Sequence, residues 1–302
     1  MRDPVINNTK GIAWALVSMF FAGSMTVAVR AAGGVIPSTE IVLYRFGVVT
    51  LILIALAVLV PYFRDRVSFK KPWMHVIRGG LIAVATHCGF YAITVIPVNT
   101  AAVLFFTAPI FASILGVVFH KEAIGPRRII AIAIGFIGAV IVCEPFSVLG
   151  SGNALGYSAA LAASLFFALA LTMSRGLAEA DGVFSTVLSA SVIATLISLP
   201  VFVGGLSMVA DWTTLLIALS FVAIAGLARN VADVEQYHFG EAAIIAPFSY
   251  LRLIIVATGA YWLFGELPTI PTLIGGSIII ASTLYIAIRE RQLNRAKPTS
   301  LP

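Results

Sequence analysis

Ionisable and hydrogen-bonding side chains stand out in this chain because the residues around them are almost all apolar. Arg45 follows Tyr44 about six residues into one apolar run, with Glu40 just ahead of it. His87 and Tyr91 lie four residues apart in another run and so share one helical face. Arg229, Asn230, Asp233, Glu235, Gln236 and His238 crowd the end of a third run, and Arg252 lies inside a fourth, two residues after Tyr250. A guanidinium in apolar surroundings suits a substrate carboxylate. An imidazole, with an ordinary pKa of about 6.5, can bind a substrate or carry a proton. Tyrosine offers a hydroxyl on an apolar body. Each group also has a structural reading. Arg45 can pair with Glu40, His87 can bond a neighbouring helix, and Arg229 can be neutralised by Asp233 at i,i+4.

The elements that carry these groups follow from composition. Of the 302 residues, 60% are hydrophobic and 11% charged, and the mean hydropathy is +1.04. Ordinary soluble domains carry about 25% charged residues, so the chain is expected to be an all-α membrane protein. Ten apolar runs long enough to cross a hydrocarbon layer of about 30 Å follow one another. They are near 11–31, 39–61, 79–96, 100–119, 127–144, 154–174, 184–204, 213–232, 243–264 and 269–288.

The chain looks duplicated. Gly11 precedes Arg30 by the same distance as Gly156 precedes Arg175, and His120-Lys121-Glu122 has a counterpart in Phe264-Gly265-Glu266. The stretch from Pro145 to Asn153, with Gly150-Ser151-Gly152, reads as a linker. The expected division is 1–149, with five spans, and 150–302, with five more and a short cytoplasmic tail. A repeat with an odd number of spans re-enters the bilayer from the other side, so the two copies must be inverted, an arrangement of secondary transporters. Lys and Arg flank the spans unevenly: fifteen of the nineteen fall on one side and Arg30 alone on the other. The positive-inside rule then places both termini in the cytoplasm of a multi-pass protein of a bacterial inner membrane. That distribution also argues against a nucleic-acid partner for the net charge of +6.

No phosphate-binding glycine loop, zinc-type histidine pair or nucleophile elbow occurs, so no cofactor, metal site or catalytic residue is expected. Cys88 and Cys143 lie inside apolar runs and read as packing residues. The longest connection, about 62–78, is too short for a soluble catalytic domain.

The segment from Asn99 to Pro109, running on to Lys121-Glu122, resembles the signature of the EamA repeat in the drug/metabolite transporter (DMT) superfamily. A second copy runs from Gly240 to Arg252 and on to Phe264-Gly265-Glu266-Leu267-Pro268. The prolines Pro109 and Pro247 are not equivalently placed, so the repeats align only with a gap before the ninth span. The resemblance covers about 11–290 and implies ten transmembrane helices in two inverted five-helix repeats around a central cavity. Within the superfamily the chain is most similar to the YddG-type amino-acid exporters, and similar proteins carry S-adenosylmethionine.

The expected activity is secondary transport of a small amino acid or related metabolite by alternating access. Export of aromatic or neutral amino acids is favoured, and the resemblance alone carries that direction. The expected cavity residues are Trp14, Arg45, His87, Tyr91, Tyr250 and Arg252. Trp14 shares a face of the first span with Ser18, Phe21 and Met25, a wall suited to a flat apolar cargo. Glu122 and Glu266 close equivalent helices and are expected to stabilise helix ends or gates. Two readings hold for the eighth run. It ends near Val231, with a wet turn before Gly240, or the helix continues and places Asp233 and Gln236 at a cytoplasmic gate. The alternative cargo is S-adenosylmethionine or another cationic metabolite, for which acidic residues should outweigh Arg45 and Arg252. Two other classes are a membrane-embedded lipid-modifying enzyme, which lacks a clustered catalytic set, and a channel, which lacks a filter-like segment. The partners implied are the small-molecule substrate and the lipid bilayer, and no oligomer is required.

Overall fold

The computed structural model describes residues 8–108, 110–112, 114–115, 126–143, 153–203, 212–239, 248 and 251–296. Among these residues there is helix and connecting turn but no strand. The elements are α1 (Asn8–Ala32), α2 (Ser38–Leu59), the short α3 (Pro61–Arg64), α4 (Pro72–Val95), α5 (Val98–Phe105) and α6 (Pro126–Cys143). They continue with α7 (Ala154–Val203), α8 (Trp212–Phe239), α9 (Leu251–Phe264) and α10 (Ile270–Ala296). Six helical segments among the described residues are long and apolar enough to cross a membrane, with α7 supplying two of them, Ala154–Ala178 and Ala180–Pro200. Four shorter apolar helices accompany them, Val98–Ala112, Ile129–Val142, Leu251–Phe264 and Ile270–Ile286.

The helices are apolar on most sides, so burial cannot be read from an amphipathic stripe. In α2 the inward face carries Val42, Arg45, Phe46, Val49 and Leu53 at helical spacing, whereas Leu51, Ile54 and Val58 face outward. Leucine pointing outward is the expected arrangement in lipid, where a backbone satisfied within its own helix needs no apolar core to hide it. Trp73 begins α4 and Trp262 nearly ends α9; they are 77% and 78% exposed. They stand at opposite ends of the bundle, as interfacial tryptophans do.

Pairwise contacts fix the helix directions. Gly89 of α4 packs against Ala163 and Gly156 against Ile96, while Arg78 donates to Ser174 Oγ at 2.8 Å. The first arm of α7 therefore runs antiparallel to α4. His75 meets Ser189 at 2.7 Å, Gly79 faces Ile193 and His87 meets Ser198 at 2.9 Å, so the second arm runs parallel to α4. The reversal takes place at Gly182, whose φ of 82° and ψ of 162° lie where a side chain is strained. The sixth and seventh spans are thus longer than the sequence suggests, and their connection shrinks to a tight turn.

Two further departures concern the polar helices. The fourth run is interrupted: α5 stops at Phe105, Phe106 and Thr107 form a turn, and helix resumes at residue 108. In the turn the carbonyl of Leu104 accepts from the Thr107 amide at 3.0 Å, from Thr107 Oγ1 at 2.7 Å and from Ser164 Oγ at 3.1 Å. The eighth run does not end near Val231, because α8 continues unbroken to Phe239. The wet-turn reading is overturned: Gln236 is 3% exposed, and its helix is held there by contacts to α1.

Close packing elsewhere depends on missing side chains. A Cβ on Gly275 of α10 would sit 2.5 Å from the carbonyl oxygen of Gly138 in α6, and one on Gly138 would sit 2.9 Å from that of Gly275. Small residues of this kind let helix backbones meet in lipid. Gly275→Leu is expected to cost about 1–3 kcal/mol, in the range for overpacking, and to lower the thermal unfolding midpoint measured in detergent. Gly47→Ala, whose Cβ meets nothing within 4 Å, should leave that midpoint unchanged or raise it slightly.

Candidate functional site

Three arginines from three helices stand over phenylalanine rings in the interior. Arg45 of α2 is 6% exposed, with its guanidinium 4.9 Å from the Phe46 ring centroid and 5.3 Å from that of Phe90. Gly226 of α8 makes the space, since a Cβ there would lie 2.7 Å from Arg45 Nε. Arg252 of α9 donates to Thr26 Oγ1 on α1 at 3.0 Å and lies 5.5 Å from the Phe105 centroid. Arg229 of α8 lies 3.3 Å from Asp233 Oδ2 and 5.8 Å from the Phe167 centroid. Arg229 is within electrostatic range of both Arg45 and Arg252, so the three form one cationic cluster. The faces of the aromatic rings offset part of the cost of that charge, by about 0.5–2 kcal/mol per contact.

Asp233 is the carboxylate of this cluster. Its Oδ1 accepts from Ser18 Oγ on α1 and from Gln236 Nε2 at 3.0 Å. Even with Glu40, buried near the start of α2, counted beside Asp233, the cations outnumber the carboxylates. The aromatic side of the site is continuous, because a Cβ on Gly89 would touch both Ala163 and the Phe105 ring, and Phe167 lies one turn beyond Ala163. Such an interior can hold an anion or a carboxylate, stack a flat ring and satisfy a cation at Asp233.

The expected residues divide as follows. Arg45, Arg252, Asp233 and Gln236 come together. His87 is half-buried and tied to Ser198 on the second arm of α7, which is the structural role left open for it. Tyr91 lies one turn farther along α4, with its carbonyl accepting from Thr94 Oγ1 at 2.8 Å. Trp14 lines a separate, open groove of about 640 Å³ together with Lys10, Ala13, Val17, Glu235 and Phe239. Tyr250 and Glu122 lie outside the described residues. Glu266 closes one end of the bundle. It accepts from Arg30 Nη2 at 2.7 Å and from the Val98 amide at 3.0 Å, while Arg30 Nη1 reaches the carbonyls of Ile93, Thr94 and Ile96.

At the opposite end lies a network that the sequence reading missed. Asp181 and His75 are buried, and Asp181 accepts from Ser68 Oγ, the amides of Lys70 and Lys71, and His75 Nε2 at 2.8, 2.7, 3.3 and 3.1 Å. Both ends therefore tie the first half of the chain to the second through a carboxylate of the second half. The polar interior lies between them.

The comparisons with known proteins agree with this architecture. The model of the EamA-like transporter family matches residues 9–143. An S-adenosylmethionine uptake transporter of Rickettsia bellii (strain RML369-C) is 27% identical over 296 residues, covering 97% of this chain and 98% of the relative. The pseudopaline exporter CntI of Pseudomonas aeruginosa (strain UCBPP-PA14) is 27% identical over 92% of this chain and 95% of its own length. A riboflavin transporter of Brucella anthropi is 28% identical over 86% and 91%. One crystal structure, 15% identical, superposes with a TM-score of 0.64 over 94% of this chain and 99% of the other, a likeness of fold alone. The protein is an all-α membrane transporter and not an enzyme. Its residues 9–143 match the EamA-like transporter family.

Removing the carboxylate at the Arg30 end gives a local test of that closure. In Glu266→Ala the Val98 amide loses its acceptor, and its hydrogen exchange should accelerate about tenfold or more, given the 1–3 kcal/mol cost of an unmade buried bond. Exchange at Lys70 and Lys71, at the other end, should not change.

Proposed function

We propose that the chain carries an S-adenosylmethionine-type metabolite, with a zwitterionic amino-acid end, a sulfonium cation and a flat heterocycle, through the arginine-lined interior. The observation that carries this reading is the cluster of Arg45, Arg229 and Arg252 over Phe46, Phe90, Phe105 and Phe167, with Asp233 among them. A substrate carboxylate compensates the excess positive charge, the rings suit a heterocycle, and Asp233 suits a cationic centre. S-adenosylmethionine carries all three features, and an uptake transporter for it is among the relatives aligned over nearly the whole chain. Arginines matter for this cargo as well as acidic residues, because the molecule ends in a carboxylate.

An aromatic amino acid has the same carboxylate, amine and ring in a smaller molecule. It is the second reading, supported by the same cluster, but it has no counterpart among the reported relatives. In either case we infer two inverted repeats, 1–149 and 150–302, with both termini cytoplasmic in a bacterial inner membrane. Arg30–Glu266 then forms the outer closure and Asp181 with His75 and Ser68 the inner one. Alternating access requires each to open in turn.

Counterflow of labelled S-adenosylmethionine into proteoliposomes tests the reading. Saturable exchange is expected, reduced about tenfold or more in Arg252→Ala and Arg45→Ala, the scale of losing a charge-assisted bond. Exchange of phenylalanine without S-adenosylmethionine would favour the second reading, and exchange of neither would overturn both.

A further inference from the structure

Two polar atoms of this cluster are buried without a hydrogen-bond partner, Arg252 Nε and Gln236 Oε1, while Arg229 Nε has Asp233 Oδ2 at 3.3 Å. One of the two is a donor and the other an acceptor. The identity of the acceptor is fixed by chemistry, since the other end of the Gln236 amide donates to Asp233 Oδ1 at 3.0 Å and must be the nitrogen. Gln236 is 3% exposed, so bulk water does not satisfy its oxygen. A buried amide oxygen left bare is costly, and a native site that keeps one aims it at something that arrives.

The surroundings say what arrives. Oε1 needs a donor, and the adjacent Asp233 carboxylate makes a positively charged donor the best match. Arg229, Asp233 and Gln236 stand at i, i+4 and i+7 on one face of α8, with about 10 Å of rise from first to last. Ser18 of α1 pins Asp233 from across the helix interface. A charged donor at Gln236 and Asp233 therefore lies on the same face as Arg229, with Arg252 Nε on α9 awaiting an acceptor. An ammonium beside a carboxylate meets both requirements.

We propose that Gln236, oriented by Asp233 and Ser18, selects cargo with a free α-amino group, so that the site takes α-amino acids or their derivatives in preference to simple carboxylates. The inference deepens the transport reading above and rests on it, but it asks only about the amino-acid end that both cargoes share. Gln236 is a specificity residue whose oxygen receives the substrate ammonium. Asp233 and Ser18 are positioning residues that act through it.

The test measures binding to the purified full-length chain in detergent by titration calorimetry, using two matched pairs. One pair is S-adenosylmethionine and the sulfonium with a plain butanoate arm, and the other is phenylalanine and 3-phenylpropanoate. The wild type should favour the amine-bearing member of whichever pair binds by about tenfold or more, as sites built to bond a polar group reject the analogue lacking it. Gln236→Leu should abolish that preference, and an unchanged helical circular dichroism spectrum shows that the variant is folded. A preference seen only in the phenylalanine pair would uphold Gln236 and sink S-adenosylmethionine as cargo. Equal wild-type affinity within each pair, a preference that survives in Gln236→Leu, or no binding of any of the four compounds would overturn the proposal.

Discussion

The arrangement of this protein depends on the cost of holding guanidinium groups where hydrocarbon surrounds the helices. Insertion scales put a lipid-facing arginine at the helix centre at about 2.5–3.5 kcal/mol. Arg45, Arg229 and Arg252 avoid that cost by facing one another's helices. Their charges rest on phenylalanine rings, on Thr26 and on Asp233. That constraint sets the inward faces of α2, α8 and α9 and requires Gly226 to be small. Because Asp233 also accepts from Ser18, it draws α1 and α8 together.

The two ends of the bundle solve a related problem differently. Loops at the membrane boundary leave backbone N–H groups that the preceding helix cannot satisfy. At one end Glu266 accepts the Val98 amide, and at the other Asp181 accepts those of Lys70 and Lys71. In both places the carboxylate comes from the second half and the amides from the first. Each closure is polar, few-membered and built across the halves, so it can break without disturbing the apolar packing of the helices. The interior between them keeps an unpaired donor, Arg252 Nε, and an unpaired acceptor, Gln236 Oε1. Such atoms are costly in a protein that needs only to be stable, and they are intelligible in one that exchanges partners with a cargo.

Asp233 and Gln236, just past the eighth run, fitted a wet turn as well as a continued helix, whereas the helical, membrane-spanning character was legible in the chain, as was the place of Arg45 and Arg252 inside apolar runs. Each of these is a polar residue in an apolar run, a signal that needs no neighbour to be noticed. His75 and Asp181 gave no such signal, since both sit near polar connections where charge is unremarkable. The phenylalanines under the arginines were equally invisible, because with 20 of them in the chain no spacing singles out four. The surroundings of Trp14 were not legible either. Its shared helical face with Ser18 is real, but Ser18 turns to Asp233 while Trp14 lines an outer groove with Lys10 and Glu235.

The sequence by itself determined that the chain must cross a bilayer as helices, because long apolar runs leave backbone groups no other way to be satisfied in hydrocarbon. It also determined which polar residues must find partners there. Only the tertiary structure decided which partners they found. Pairing Arg30 with Glu266, or Ser18 with Asp233, joins residues 236 and 215 positions apart. Contacts over such separations depend on helix direction, rotation and depth, and helices apolar on nearly every side carry little record of any of these. The break after Phe105 and the continuation of α8 to Phe239 are supported in the same way, by bonds across helices from Ser164 to the Leu104 carbonyl and from Ser18 to Asp233.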